Sequence, residues 1–488
     1  MLRALLKDSL IYTIPTFISR GLSLFLVPLY TRVLTPSDYG SFDLLMTFAS
    51  LANLTVALEI SQGVARFHCT EADPQKKVRY AATALWFTCA CYGLFLGLAM
   101  AFSRGLSTWI MGQENMTLHF RLGLLFICLN GLLCLLQNQL RWELRSVDYA
   151  LVSLLTAVLT AGGTVWLAYF SNMGLSGLLI GMIIGTSSGL LLGLWKLRST
   201  YTSRIDSRCL REMLAYSTPL VLSGIAIFVG TYIDRLMINH YLSVADVGIY
   251  GIGFRFASIA TLLMVGIQGA LTPLVFTRHQ EPSTPSELAK IFRIFTALAL
   301  LSYVALVLFV SDILTIFTTP AYFPAAQVVV FLAPAIFLSQ MYIFAPGIGI
   351  AQKTSWHIYI NLAGALGNTL LNWLLIPFLG LQGAALATLL SFACIFTAYM
   401  ALSQRYYPVP HNWKPIGVSV LIAGLFASGL PTLRIDGGIL RCGAYLGALL
   451  VLLMIFISMG LVRITEIRRG RELVLAFCGI GLYSKNGR

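Results

Sequence analysis

Five ionisable side chains, Arg20, Glu59, Asp234, Arg235 and Arg255, fall inside long apolar runs of the 488-residue sequence. If those runs cross a bilayer, each charge at mid-depth costs at least about 2.5–3.5 kcal/mol on insertion scales, so it needs a partner or a water-filled cavity. Three arginines against two carboxylates leave a positive excess, and guanidinium forks grip phosphate oxygens in a bidentate way. The set predicts a cationic cavity in which Arg20, Arg235 and Arg255 hold an anionic, phosphate-bearing ligand. A carrier of organic cations is expected to invert that sign. Asp234 and Glu59 are the candidate sites for a proton or a sodium ion. A plainer arrangement stays open beside this one: Asp234 pairs with Arg235 or Arg255 as glue between helices, and Arg235 snorkels outward.

Amides supply a second set of candidates. His357, Asn361, Asn368 and Asn372 recur at i, i+4, i+11 and i+15, which keeps them on one helical face over about 22 Å. Asn130, Gln137 and Arg141 form a similar stripe at i, i+7 and i+11. An amide offers both donor and acceptor, as sugar hydroxyls require. The same stripes also suit interhelical hydrogen bonds, worth about 0.6 kcal/mol on average in membranes.

Other chemistry is missing. None of the eight lysines follows a glycine, so no phosphate-cradling GxxxxGK[ST] loop exists and ATP hydrolysis is not expected. The nine cysteines show no metal-ligand spacing, and most lie in apolar runs where Cys acts as a small hydrophobe. The longest outward loop, near Arg104 to Leu118, holds Glu114 as its one carboxylate, which argues against a membrane glycan polymerase or ligase. No catalytic or metal-binding residue is assigned.

These residues must be positioned by membrane helices. The chain is 58% hydrophobic and 11% charged, with a mean hydropathy of +0.81. A soluble protein carries about 25% charged residues. Cutting at charged and Pro/Gly/Asn clusters predicts fourteen spans near 9–31, 40–64, 80–103, 119–140, 149–170, 175–195, 213–240, 246–275, 291–312, 325–350, 357–378, 381–402, 415–432 and 439–462. The run from Ser9 to Tyr30 has no small-residue cleavage site and reads as a retained first span. With Met1 inside, 25 lysines and arginines fall in inside segments, while only Arg32, Arg104, Arg121, Arg434 and Arg441 fall outside. That bias predicts both termini in the cytoplasm and makes nucleic acid an unnecessary explanation of the net charge of +14.

The sequence also repeats. Tyr12-x-x-Pro15 with Ser19 returns as Tyr216-x-x-Pro219 with Ser223, Asp38-x-Gly40-x-Phe42 as Asp246-x-Gly248-x-Tyr250, and Gly174-Leu-x-Gly177 as Gly380-Leu-x-Gly383, at offsets of 204, 208 and 206. A repeat of six spans, an even number, predicts parallel halves related by an axis along the membrane normal, the pattern of secondary transporters. The expected organisation is an all-α membrane protein with a six-helix bundle over 1–195, a basic cytoplasmic linker over 196–212, a second six-helix bundle over 213–402, and two extra helices with a basic tail over 403–488.

Four segments carry a family resemblance: SRGLSLFLVPLYTRVLTPSDYG (19–40), VARF (64–67), YIDRLMINHYLSVADVGIYGI (232–252) and GLQGAALAT (380–388). They resemble the polysaccharide-transporter branch, the Wzx-like flippases, of the multidrug/oligosaccharidyl-lipid/polysaccharide exporter superfamily. The resemblance implies two six-helix bundles and no cofactor, with alternating access coupled to a proton or sodium gradient. It implies transfer of an undecaprenyl-pyrophosphate-linked oligosaccharide across a bacterial inner membrane, for O-antigen, capsule or exopolysaccharide synthesis. A polysaccharide polymerase and glycosyltransferases are the implied partners. Arg20, Arg235 and Arg255 match cavity arginines thought to receive the pyrophosphate, and Asp234-Arg235 matches a family "DR" pair. A lipid II flippase and a drug/cation antiporter are the alternatives within the superfamily.

Overall fold

The computed structural model describes residues 26–112, 114–202, 205–261, 278–353, 355–432 and 438–463, with the isolated positions 21, 271 and 275. Arg20, the Tyr12 motif and the basic tail beyond residue 463 lie outside the described residues. Among those described, the regular structure is helical, with no strand. We label the helices α1 (Val27–Val33), α2 (Pro36–Thr55), α3 (Ile60–Thr70), α4 (Pro74–Ala101), α5 (Ser103–Met111), α6 (Thr117–Trp142), α7 (Ser146–Thr164), α8 (Gly174–Lys196), α9 (Ser207–Tyr241), α10 (Val244–Ala257), α11 (Thr284–Phe317), α12 (Ala325–Gln340), α13 (Ser355–Tyr406), α14 (Trp413–Gly429) and α15 (Gly438–Ser458).

Nine described helices are long and apolar enough to cross a membrane, ten if α2 and α3, bent by 44°, count as one broken span. Two boundaries differ instructively from the expected ones. The second span breaks where Leu58 and Glu59 take left-handed φ of 49° and 51°. The expected division at Gly380 is present inside the 52-residue α13, where φ is 57° and ψ is −134°. That backbone suits glycine because a Cβ would be strained there. The expected thirteenth span, 415–432, falls on the 17-residue α14, an apolar helix shorter than those counted above.

The repeated motifs perform the same local tasks twice. Thr35 Oγ1 accepts from the Asp38 backbone N–H at 3.2 Å, and Ser243 Oγ accepts from the Asp246 N–H at 3.1 Å. Each is an N-cap that satisfies a donor left orphaned at a helix start, of α2 and of α10. Between those two starts, a Cβ on Gly40 would overlap the carbonyl of Val244, and one on Gly248 would overlap the carbonyl of Pro36. The four residues are pairwise related by the 208-residue offset, so the contact is reciprocal. Lipid offers little hydrophobic drive between helices, so close backbone approach over small residues supplies the packing.

The chain divides into two compact units. One comprises the residues up to Phe256 with Leu314–Val328 and Asn361–Ser391; the other comprises Ala257–Ile313, Val329–Ile360 and the residues from Phe392 on. In the first, α7 and α8 meet over small residues, Gly181 lying against Gly163 and Thr164. In the second, Phe292, Phe295 and Phe344 form an aromatic centre with Leu308 and Tyr445 in the same buried cluster.

Candidate functional site

The first unit holds a buried ion pair that joins two helices. From α9, Arg235 Nε donates to Asp43 Oδ2 of α2 at 2.8 Å, with the side chains 4% and 15% exposed. The guanidinium carbon lies 4.7 Å from the Phe254 ring centre and 5.3 Å from that of Tyr232, so aromatic faces cover the cation on its other sides. Gly251 makes the approach possible, because a Cβ there would come within 3.0 Å of Asp43 Oδ2.

This arrangement corrects two expectations. Arg235 does not pair with Asp234, because consecutive residues on a helix point in different directions. Nor does it snorkel, since it is only 3% exposed. Asp43 adds a third carboxylate to the charges within the spans. Adding it cancels the positive excess, so the sign of the charge alone no longer argues for an anionic ligand. The signal was present in the sequence: Asp43 directly follows the repeated Asp38-x-Gly40-x-Phe42 motif.

Asp234 has its own set of partners. Its carboxylate accepts from Tyr250 Oη at 2.6 Å, from Thr388 Oγ1 at 2.8 Å and from Asn372 Nδ2 at 3.0 Å. Asn372 Nδ2 also donates to Asn368 Oδ1 at 3.1 Å, while Asn372 Oδ1 and Asn368 Nδ2 are buried without a hydrogen-bond partner. The amide face of α13 is therefore divided. Asn368 and Asn372, 2% and 0% exposed, serve the carboxylate. His357 lies in the other unit, 3.1 Å from Tyr399 Oη, and Asn361 is half-buried.

Arg255 lies over the rings of Tyr30 and Tyr39, at 5.7 and 5.3 Å, and is half-buried. No carboxylate pairs with it among the described residues. Its guanidinium therefore keeps donors for an anion, whereas that of Arg235 is committed to Asp43.

Glu59 stands on the wall of a cavity of about 500 Å³ whose lining includes Asn53, Gln62, Tyr92, Asn138 and Tyr232. The expected stripe on α6 falls on other faces of the helix. Gln137 Nε2 donates to Ser153 Oγ of α7 at 3.1 Å, Arg141 lies 4.8 Å from the Tyr149 ring centre, and Asn130 is outside the cavity wall. Asn138 is the α6 amide that faces the cavity, one residue from the expected position. A one-residue shift turns a helical side chain by about 100°.

Internal sequence repeats, a broken second span and buried polar clusters within apolar helices define a class, the multi-span membrane proteins. The fold is similar to that of the lipid II flippase MurJ in an inward closed conformation, with a TM-score of 0.74 over 92% of this chain and 99% of that one at 15% identity. It is also similar to an inward-facing multidrug resistance transporter of the MATE family, with a TM-score of 0.66 over 82% and 97% at 14% identity. The chain belongs to the polysaccharide biosynthesis protein family, whose profile matches residues 5–279; a MatE profile matches 219–374. In sequence it is 22% identical over 88% of its length to 90% of the "Probable low-salt glycan biosynthesis flippase Agl15" of Haloferax volcanii. It is 24% identical over 55% of its length to 65% of "Lsg locus putative protein 1" of Haemophilus influenzae.

Proposed function

We propose that this protein carries a polyprenyl-pyrophosphate-linked oligosaccharide from the cytoplasmic to the periplasmic leaflet of a bacterial inner membrane, by alternating access, to supply surface polysaccharide synthesis. The observation that carries the reading is the amide- and tyrosine-lined cavity within a chain of the polysaccharide biosynthesis family. Hydroxyl-rich ligands are recognised by groups that both donate and accept. Arg255, without a carboxylate partner, and Arg20 receive the pyrophosphate, and the polyprenyl chain stays in lipid. Arg235 supports them indirectly through its pair with Asp43.

Asp234 is the coupling carboxylate. Its oxygens accept from the Tyr250 and Thr388 hydroxyls and from the Asn372 amide N–H, so no cation is hydrogen-bonded to it and a proton or a sodium ion can supply the balancing charge. A proton or sodium gradient then drives the cycle. Both termini are cytoplasmic, and the glycosyltransferases and polymerase of the same polysaccharide act before and after the transfer.

The test is surface glycan in cells that carry variants as the sole copy, normalised to membrane protein level. Arg20→Ala abolishes surface glycan, and Arg20→Lys restores part of it, since the charge returns without the bidentate fork. Full activity in Arg20→Ala overturns the pyrophosphate role. Loss of the protein from the membrane assigns Arg20 to structure instead.

A further inference from the structure

The cavity beside Glu59 has a chemical bias that the transport reading does not require. Its polar wall is made of carboxamides, phenols and hydroxyls with one carboxylate, and no lysine or arginine lines it among the described residues. Its volume of about 500 Å³ lies within the range of small-molecule sites. The wall is braced from behind. Tyr92 Oη donates to Asn53 Oδ1 at 2.9 Å, which leaves the Asn53 amide N–H groups to donate elsewhere. Gly131 makes room for the Tyr92 ring, because a Cβ there would overlap it. Across the cavity, Ser50 Oγ donates to Tyr232 Oη at 3.4 Å, and Tyr232 also stacks on the buried Arg235.

Glu59 reaches this wall from the break between α2 and α3, where two successive non-glycine residues hold left-handed φ. With no basic neighbour on the wall among the described residues, its carboxylate accepts from hydroxyl or ammonium groups and repels another carboxylate. We propose that this cavity is the carbohydrate subsite of the transported lipid-linked glycan, that it takes a neutral or amino sugar, and that Glu59 is the residue that rejects uronic acids. The proposal rests on the flippase reading for its ligand class, but its test measures sugar binding without lipid carrier or transport, so the two fail separately.

Cys134 lines the same cavity and is exposed, whereas the exposed Cys394 and Cys442 lie elsewhere. The full-length protein in lipid nanodiscs at neutral pH is alkylated with a maleimide in the presence of D-glucose, D-glucosamine or D-glucuronate. Labelling of each cysteine is followed by peptide mass spectrometry, with Cys394 and Cys442 as references. Glucose and glucosamine slow labelling at Cys134 only, and glucosamine half-protects at a concentration about tenfold below that of glucuronate, the scale of one charge interaction near a protein surface. In Glu59→Gln the gap between the two charged sugars closes. Equal protection by all three in the wild type overturns the selectivity, and no protection by any sugar that spares the reference cysteines overturns the subsite. Should Glu59→Gln fail to fold, the wild-type ranking still decides.

Discussion

Arg235 of α9 and Asp43 of α2 form one charge pair at 2.8 Å, while Asp234, the residue next to Arg235, is held by neutral donors instead. Two ionisable clusters thus lie one residue apart in sequence and share no hydrogen bond. The pair joins α9 to α2, whereas the donors around Asp234 are uncharged.

The lock predicts a compensation pattern. Asp43→Asn strands a buried guanidinium and destabilises the protein by about 3–5 kcal/mol, as breaking a buried pair does. The double variant Asp43→Asn with Arg235→Gln removes both charges and recovers most of that loss. Thermal unfolding of the detergent-solubilised protein reads the difference. If the double variant melts as low as the single one, the two side chains are not energetically coupled.

Much of this was legible in the sequence, and the rest was hidden for geometric reasons. The all-helical membrane architecture, the break at Gly380 and the paired motifs follow from hydropathy and internal matches, which survive without any knowledge of packing. Facing directions did not follow. Asn138 rather than Gln137 meets the cavity, and Asn368 and Asn372 turn inward to Asp234, because the rotation of a helix about its own axis is set by its neighbours. Asp43 lies near the start of its span, where sequence alone does not separate a buried charge from an interfacial one. Its burial becomes evident only once α9 is laid against it.

The reciprocal glycine contact predicts symmetric sensitivity. Gly40→Ala and Gly248→Ala each force α2 and α10 apart, and each is expected to cost about 1–3 kcal/mol, the range for overpacking. The double variant costs less than the sum, since the first substitution already opens the crossing. Melting temperatures of the three variants check this. A tolerated Gly40→Ala would mean that the crossing relaxes easily.

A pH effect is expected at His411, in the segment between α13 and α14. Its ring packs against Phe292 and Trp413, both ring nitrogens lack hydrogen-bond partners, and burial pushes its pKa down to about 4. The folded state therefore favours the neutral ring, while the unfolded chain binds a proton near its ordinary pKa of about 6.5. Stability is fully present above about pH 6.5 and is lost as pH falls toward 4. His411→Phe should flatten the part of the melting profile between those values. An unchanged acid limb in that variant would place the acid sensitivity elsewhere.

The last prediction separates coupling from scaffolding at Asp234. An asparagine there keeps the size of the side chain, and each of its partners can reverse its role. The Tyr250 and Thr388 hydroxyls can accept as well as donate, and Asn372 can present its unpaired Oδ1 in place of Nδ2. Asp234→Asn should therefore fold with a stability change of only about 1 kcal/mol, the net worth of one rearranged hydrogen bond. If Asp234 carries the coupling ion, the variant nevertheless loses gradient-driven transport, because a neutral amide cannot exchange a proton or balance a sodium charge. Adding Arg235→Gln discriminates further. Were Asp234 merely the counter-charge of Arg235, the double variant would regain function. With Arg235 paired to Asp43, the second substitution instead strands Asp43, so the double variant stays inactive and becomes less stable than either wild type or Asp234→Asn. Surface glycan and membrane protein level, measured together in the single and double variants, decide the matter, and a rescued double variant would remove Asp234 from the coupling role.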